Sequence, residues 1–201
     1  MQLRLKRLLL DLPLATLALL AFSPLLLAVS LAIGLTSKGP VLFPQWRVGL
    51  DGEMFRMLKF RTIRVEACDE SGLNQVVEKD CRVTPIGRFL RATSIDELPQ
   101  LWNILVGDMA VVGPRPMVHG MRAAGVDYRE AVPYYDYRHL VRPGLSGWAQ
   151  VNGLRGPTSD MTSAKLRIDH DCAYVQNFSL GLDVGIILKT IFRQFLTGSG
   201  T

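Results

Sequence analysis

The sequence predicts an α+β fold, mainly helical: one cytoplasmic domain with a small β-hairpin, held by an N-terminal re-entrant membrane helix and by interfacial amphipathic helices. Three observations predict it. Leu8 to Leu35 is almost wholly apolar. Two β-rich runs flank Leu50-Asp51-Gly52, and Asp-Gly is a strong hairpin signal. Apolar residues then recur at helical spacing, as at Leu98, Leu101, Trp102 and Leu105, the face of a buried helix.

The N-terminal run divides the chain into an anchoring segment, 1–37, and a domain, 38–201. As one straight helix the run would be about 42 Å long, against about 30 Å of hydrocarbon. It is too long for a signal-peptide core and lacks a clean small-x-small site. A tilted single span remains open. Ser23-Pro24 near the middle argues for a re-entrant course instead. Pro24 removes a backbone bond and kinks the helix, while Ser23 can satisfy a freed carbonyl. Each arm is then roughly half a bilayer. Arg4, Lys6 and Arg7 precede the run, and Lys38 and Arg47 follow it. The positive-inside rule puts both flanks in the cytoplasm.

Gly39 to Ile63 reads as the hairpin, studded with Arg47, Arg56, Lys59 and Arg61. Residues 64–80 are polar and acidic and read as a mobile loop. "TPIGRFLRATS" is a short helix with Arg88 and Arg91 on one face. The next helix runs to about Val106. At its mouth stand two adjacent acids, Asp96 and Glu97. Ser94 and Glu97 have capping-box spacing, but that start puts Pro99 where it costs stability. A start near Asp96 keeps Pro99 in the first turn and both acids at the positive end of the helix dipole. On this stretch alone, capping and chemistry both stand. "GDMAVVGPRPM" reads as an irregular loop, 117–138 as helical, and Val141 to Gly156 as a Gly-rich loop with a short β segment. Residues 160–176 and 180–196 read as helices. The last carries Lys189 and Arg193 and suits a membrane interface or the core.

The 201 residues suffice for one domain with a real core. Apolar content is 48%, net charge +5 and pI near 9.3, which suits an anionic partner. No motif suggests nucleic acid. Cys68, Cys81 and Cys172 are scattered, with no zinc spacing, and read as free thiols in a reducing compartment. The three histidines are scattered too. The cations Lys59, Arg61, Arg88, Arg91, Arg115, Arg142 and Arg155 lie near the acids or in Gly/Pro loops. Arginine forks match phosphate oxygens, so the set suggests a pyrophosphate site without a P-loop. A surface role for each is the alternative. A carboxylate attacks phosphorus only if cations offset the phosphate charge. The acids, arginines and anchor together fit phosphoryl transfer to a lipid.

"GPVLFPQWRVG", "FRMLKFRTI", "RVTPIGRFLRATSIDELPQLWNILVGDMAVVGPRP", "RPGLSGWAQVNGLRG" and "YVQNFSLGLDVGIILKTI" follow one another in this order. With them the chain resembles the bacterial sugar transferases, the monotopic phosphoglycosyl transferases, nearly end to end. The resemblance implies transfer of a sugar 1-phosphate from a UDP-sugar to polyprenyl (undecaprenyl) phosphate, releasing UMP. It implies the first membrane step of exopolysaccharide, O-antigen or glycoconjugate synthesis, at the cytoplasmic face of the bacterial inner membrane. Asp96 matches the family's nucleophile, forming a phosphosugar-enzyme intermediate, and Glu97 its partner. Mg²⁺ is the implied cofactor, with Asp96 and Glu97 its candidate ligands. Arg91, Arg115 and Arg155 match phosphate-binding arginines, although many relatives carry the last one where this chain has Leu154. "QVNGLRG" resembles the branch using UDP-glucose or UDP-galactose. Thr62-Ile63 replaces the more usual Ser/Thr-Met. The chain reads as the minimal catalytic form, without the additional membrane spans of many exopolysaccharide relatives. The expected partners are the UDP-sugar, polyprenyl phosphate and membrane lipid; a homodimer is allowed, and no nucleic acid is expected. The alternative is a non-catalytic membrane scaffold or regulator of the same fold. A polytopic enzyme working without a covalent intermediate is disfavoured by the single long apolar segment.

Overall fold

The structure is a computed structural model and describes residues 2–69, 73, 80–156 and 160–197. The chain opens with α1 (Gln2–Lys6), a π-helical turn (Arg7–Asp11) and α2 (Leu12–Thr36). The backbone stays helical through Ser23-Pro24, so the expected break is not a loss of helix. The reason is local. Pro24 has no N–H to give to the carbonyl of Leu20, and Ser23 Oγ donates to that carbonyl instead, at 2.8 Å. Thr16 and Ser30 likewise donate to carbonyls four residues back.

One stripe of α2 is covered by the rest of the protein. Ala15, Ala18 and Leu19 pack with Phe55, Met57, Leu101 and Ile104. Leu25, Leu26, Val29 and Ile33 pack with Phe60, Ile86, Leu90 and Ile95. Phe22, Ser23 and Pro24, between the two patches, are exposed. So are Leu9, Leu17, Leu20, Leu27, Leu31 and Leu35, an apolar surface far larger than scattered single leucines would make.

Both ends of this helical run bond to the same body. At the start, buried Lys6 donates from Nζ to the Val112 carbonyl at 2.5 Å and to the Tyr174 hydroxyl at 3.0 Å. It also makes a 3.1 Å charge contact with buried Asp183. Asp11 accepts from the Val111 N–H at 2.9 Å. At the far end, buried Arg61 donates to the Ser37 and Pro40 carbonyls and to Ser37 Oγ.

The hairpin forms as expected. β1 (Leu42–Val48) and β2 (Met54–Phe60) pair antiparallel, Leu42 opposite Phe60 and Val48 opposite Met54. Its turn puts Asp51 and Gly52 at φ 53° and 83°, the left-handed region that Asp tolerates and Gly favours. α3 (Pro85–Ala92) is capped by Thr84, whose hydroxyl accepts from the Gly87 N–H at 3.0 Å. α4 (Gln100–Val106) starts after Pro99, later than expected, and the acids lie in a 3₁₀ turn (Ile95–Glu97) before it. This changes the helix phase. Gln100, Leu101, Asn103 and Ile104 are buried, while Trp102, expected on the buried face, is 55% exposed.

Asn103 fixes that phase. Its Oδ1 accepts from the Leu58 N–H at 2.9 Å and its Nδ2 donates to the Arg56 carbonyl at 2.8 Å. The amide thus pairs with the edge of β2 as a strand would and ties the acids' helix to the strand bearing Lys59. Asn103→Ala should destabilise the protein by about 2–3 kcal/mol, because two partly buried backbone groups lose their partner. Thermal unfolding in detergent checks it; a cost below about 0.5 kcal/mol, the size of a surface substitution, would contradict it.

Two segments differ from expectation. "GDMAVVGPRPM" contains β3 (Ala110–Val112), which pairs parallel with β6 (Gly144–Ser146). The approach is so close that a Cβ on Gly113 or Gly144 would collide with the facing backbone. Residues 117–138 are mostly not helical. Gly120 and Gly125 at φ 70° and 81° turn the chain through β4 (Arg122–Ala123) and β5 (Val126–Asp127), and only α5 (Tyr128–Ala131) and a 3₁₀ turn (Tyr135–Leu140) follow. α6 (Trp148–Val151) leads to α7 (Met161–Gln176) and α8 (Leu180–Thr197), the two helices expected over 160–176 and 180–196. Of the expected loop over 64–80, residues 70–72 and 74–79 lie outside the described residues.

Candidate active site

The two acids sit in a connector too short to be helix and too tight to be loop. Ser94 enters it in the left-handed region, at φ 56°, ψ 16°. The Glu97 N–H then bonds to the Ser94 carbonyl at 3.2 Å, closing the turn. The two carboxylates have opposite surroundings. Glu97 accepts from Lys59 Nζ at 2.8 Å, from Arg115 Nη2 at 2.5 Å and from Arg115 Nη1 at 3.3 Å. Asp96 is buried, with no hydrogen bond or ion pair to its carboxylate among the described residues.

The electrostatics follow. Burial alone would raise the Glu97 pKa, but the Arg115 fork and Lys59 hold it well below the usual carboxylate range. For Asp96 burial wins. Its pKa is raised, with Lys59 pulling it down and Glu97 pushing it further up. Burial also lowers Lys59, against the pull of Glu97. Glu97 is thus a fixed, compensated anion, and Asp96 a desolvated carboxyl beside it.

Three elements bring these groups together. Lys59 comes from β2, beside the Asn103 tie. Arg115 stands between Pro114 and Pro116, directly after β3. Its carbonyl accepts from Arg138 Nη2 at 2.6 Å, and Arg138 is paired with Asp171 of α7 at 2.7 Å, both fully buried. Arg47 of β1 lies against the same loop, donating to the Pro116 carbonyl at 3.5 Å. Burial, then the charge of Arg115, lowers its pKa to about 10.

The remaining predicted cations divide. Arg91 donates to Thr62 Oγ1 at 3.2 Å, and its charge reaches Asp96. Arg155 donates to the Gln150 carbonyl at 3.2 Å and lies within the fields of Arg115 and Glu97, at the edge of the cluster. Arg142 instead bonds the Gly107 carbonyl at 2.7 Å, closing the end of α4, and Arg61 fastens the exit of α2. Arg88 is exposed on α3, away from the acids' contacts. Sequence reasoning missed Arg47, Asn103, Arg138 and Asp171 as supports of the site. "VRPGLSG" and "GPRP" carry the signal for Arg115, since glycines on both sides of a Pro-flanked Arg imply backbone packed on backbone.

Comparison with known proteins identifies the family. The family model described as "Bacterial sugar transferase" matches residues 1–197. The chain is 50% identical over 183 residues to the "Exopolysaccharide production protein PSS" of Rhizobium leguminosarum bv. phaseoli, covering 91% of this chain and 92% of that protein. It is 44% identical to the "UDP-glucose:undecaprenyl-phosphate glucose-1-phosphate transferase" of Escherichia coli, covering 92% of this chain but only 39% of that protein. It is 45% identical to the "UDP-N-acetylgalactosamine-undecaprenyl-phosphate N-acetylgalactosaminephosphotransferase" of Aeromonas hydrophila, covering 94% and 43%. A match spanning the anchor helix, the acid pair and both glycine loops places the chain in the bacterial sugar transferase family.

Proposed function

We propose that the protein moves a sugar 1-phosphate from a UDP-sugar to polyprenyl phosphate through a covalent intermediate on Asp96. Asp96 attacks the sugar-bearing phosphorus, and the bond to the bridging oxygen breaks, releasing UMP. An oxygen of polyprenyl phosphate then attacks the same phosphorus, frees Asp96 and forms the diphosphate-linked sugar. The observation that carries this is the asymmetry of the acids. Asp96 is buried and, among the described residues, unpaired, so its attack breaks no salt bridge, while Glu97 holds Lys59 and Arg115 where phosphate oxygens must lie. Arg91 and Arg155 stand at the rim to take further phosphate charge.

The donor chemistry suits Mg²⁺, which takes one or two carboxylates plus substrate phosphates and needs no cage of protein ligands. Glu97 Oε2, with only the 3.3 Å contact from Arg115, is the oxygen with capacity to hold it. A bound Mg²⁺ would neutralise phosphate charge during the transfer. Excess chelator should therefore suppress UMP release, and added Mg²⁺ restore it. Full activity in chelator would leave the neutralisation to the cations of the site.

"QVNGLRG" and the glucose-transferring relatives support UDP-glucose or UDP-galactose as the donor. Incubation with polyprenyl phosphate and a panel of UDP-sugars, read as UMP release, tests both points. A hexose donor should turn over fastest. Preference for an N-acetylated sugar would overturn the donor assignment, and no release with any donor would favour the scaffold reading.

We also propose the re-entrant course for α2, at the cytoplasmic face of the inner membrane. Supporting it are the bonds from both ends of the helix to one body, the exposed Phe22–Pro24 midpoint and the leucine face opposite the packed stripe. UDP-sugars are cytoplasmic, and the acids must face them. α8 adds an interfacial surface, with Val184, Leu188, Ile191 and Phe192 exposed beside Lys189.

A further inference from the structure

A cavity of about 380 Å³ opens where α2 ends. It lies within the size range of small-ligand sites. None of Asp96, Glu97, Lys59, Arg91 or Arg115 lines it. Among the described residues its walls carry Lys38, Arg61 and Arg64 and the carboxylate of Glu66. Arg61 is 3% exposed, and its Nε and Nη2 hold the Ser37 and Pro40 oxygens, which leaves Nη1 without a partner among the described residues. Lys38 and Arg64 are exposed and make no ion pair or side-chain hydrogen bond among the described residues. A buried, fixed guanidinium with a donor open to the cavity, flanked by two exposed cations, is a receptor for a phosphate oxygen.

The position narrows the ligand. The cavity begins at Thr36, immediately after the apolar face of α2, so it lies at headgroup depth if α2 lies in the bilayer. Leu35 is 86% exposed one residue before the rim, and Leu31 is exposed one turn earlier. Val65 and Ile86 complete an apolar side of the wall. A ligand with a phosphate head and hydrocarbon tails would set the head among the cations and run the tails down the Leu31–Leu35 face. We propose that this cavity binds the phosphodiester head of one anionic phospholipid of the host leaflet, as a site separate from the acid pair. The cluster around Glu97 already supplies cations for the reacting phosphates, and Arg61 is committed to the helix exit. The bound lipid therefore acts on the anchor, fixing the depth at which α2 leaves the membrane. The proposal rests on the membrane reading of α2.

The full chain, in nanodiscs of equimolar phosphatidylglycerol and phosphatidylcholine, is examined by native mass spectrometry, wild type beside Lys38→Gln/Arg64→Gln. The wild type should retain one phosphatidylglycerol. The double variant should hold it roughly 30-fold more weakly, two headgroup charges being lost. Lys165→Gln, on exposed α7 surface, should keep it. Retention of phosphatidylcholine equal to phosphatidylglycerol, or equal retention by the double variant, would overturn the site. So would discs doped with polyprenyl phosphate in which that lipid, and not phosphatidylglycerol, is lost from the variant. Sedimentation of both proteins with membranes is read separately. If neither sediments, the membrane reading of α2 fails; if both do and no lipid is retained, only the cavity assignment fails.

Discussion

Asp96→Asn should lower UMP release by on the order of 10³-fold or more, the scale on which nucleophile removal acts in covalent enzymes. The amide keeps the size and the burial of the carboxyl but has no lone pair basic enough to attack phosphorus. Because the Asp96 carboxylate makes no ion pair or hydrogen bond among the described residues, the substitution removes no such contact from the fold. Thermal unfolding should therefore change little while turnover is lost, and that split separates a nucleophile from a helix cap. A labelled sugar phosphate should stay on the wild-type protein in the absence of polyprenyl phosphate and be missing from the variant. The same burial makes a pH prediction. The raised pKa of Asp96 moves the acid limb of the kcat/KM profile above an ordinary carboxylate's. Activity is lost as pH falls through that pKa, because the protonated acid is no nucleophile. UMP release by Asp96→Asn within about tenfold of wild type would remove Asp96 from this role.

What the sequence made legible were features written in neighbouring residues. Asp51-Gly52 encodes its own turn, the uninterrupted stretches 160–176 and 180–196, free of Pro, read as two helices, and Ser23-Pro24 encodes a missing donor together with its substitute. Other features need residues far apart. β3 and β6 are three residues each, separated by more than thirty positions, and only their pairing makes either a strand. Met117, Tyr128, Val132 and Tyr135 look helical in spacing because all four are buried, but they are buried against Ala164 and Ile168 of α7 rather than along one helix face. Trp102 misleads for a related reason. The 3₁₀ turn bearing the acids shifts the phase of α4, and Asn103, which is polar and carries no periodic signal, settles which side faces β2. Of the seven predicted cations, Lys59 and Arg115 bond an acid. The sequence could not separate them from Arg61 and Arg142, because a cation that fastens a helix end has the same composition as one that faces a phosphate.

Lys6→Ala should destabilise the protein by about 3–5 kcal/mol, the cost of leaving a buried charge without its partner. Lys6 reads in the sequence as one of several basic flanking residues. In the structure it is the counter-ion of Asp183, which is 0% exposed and stands in the otherwise apolar start of α8. A charge inside an apolar segment, as Asp183 is in the start of α8, is a signal that an opposite charge packs against it. Replacing both, as Lys6→Met with Asp183→Leu, removes the unpaired charge and should recover most of the loss. Thermal unfolding in nanodiscs measures all three. The result also bears on topology. A helix spanning the bilayer from Arg7 to Thr36 would hold Lys6 on the face opposite the domain, about 45 Å of helix away from the Ser37 end. Lys6 could not then touch Asp183, and Lys6→Ala would be silent. Cysteines at positions 2 and 38 give the independent check. With both ends fastened to one domain, an impermeant reagent should leave both unlabelled in intact cells and label both after lysis. Labelling of position 2 alone in intact cells, together with a silent Lys6→Ala, would mean a spanning helix. A large loss at Lys6→Ala, recovered by the apolar pair, would mean that the start of the membrane helix returns to the body that carries the acids.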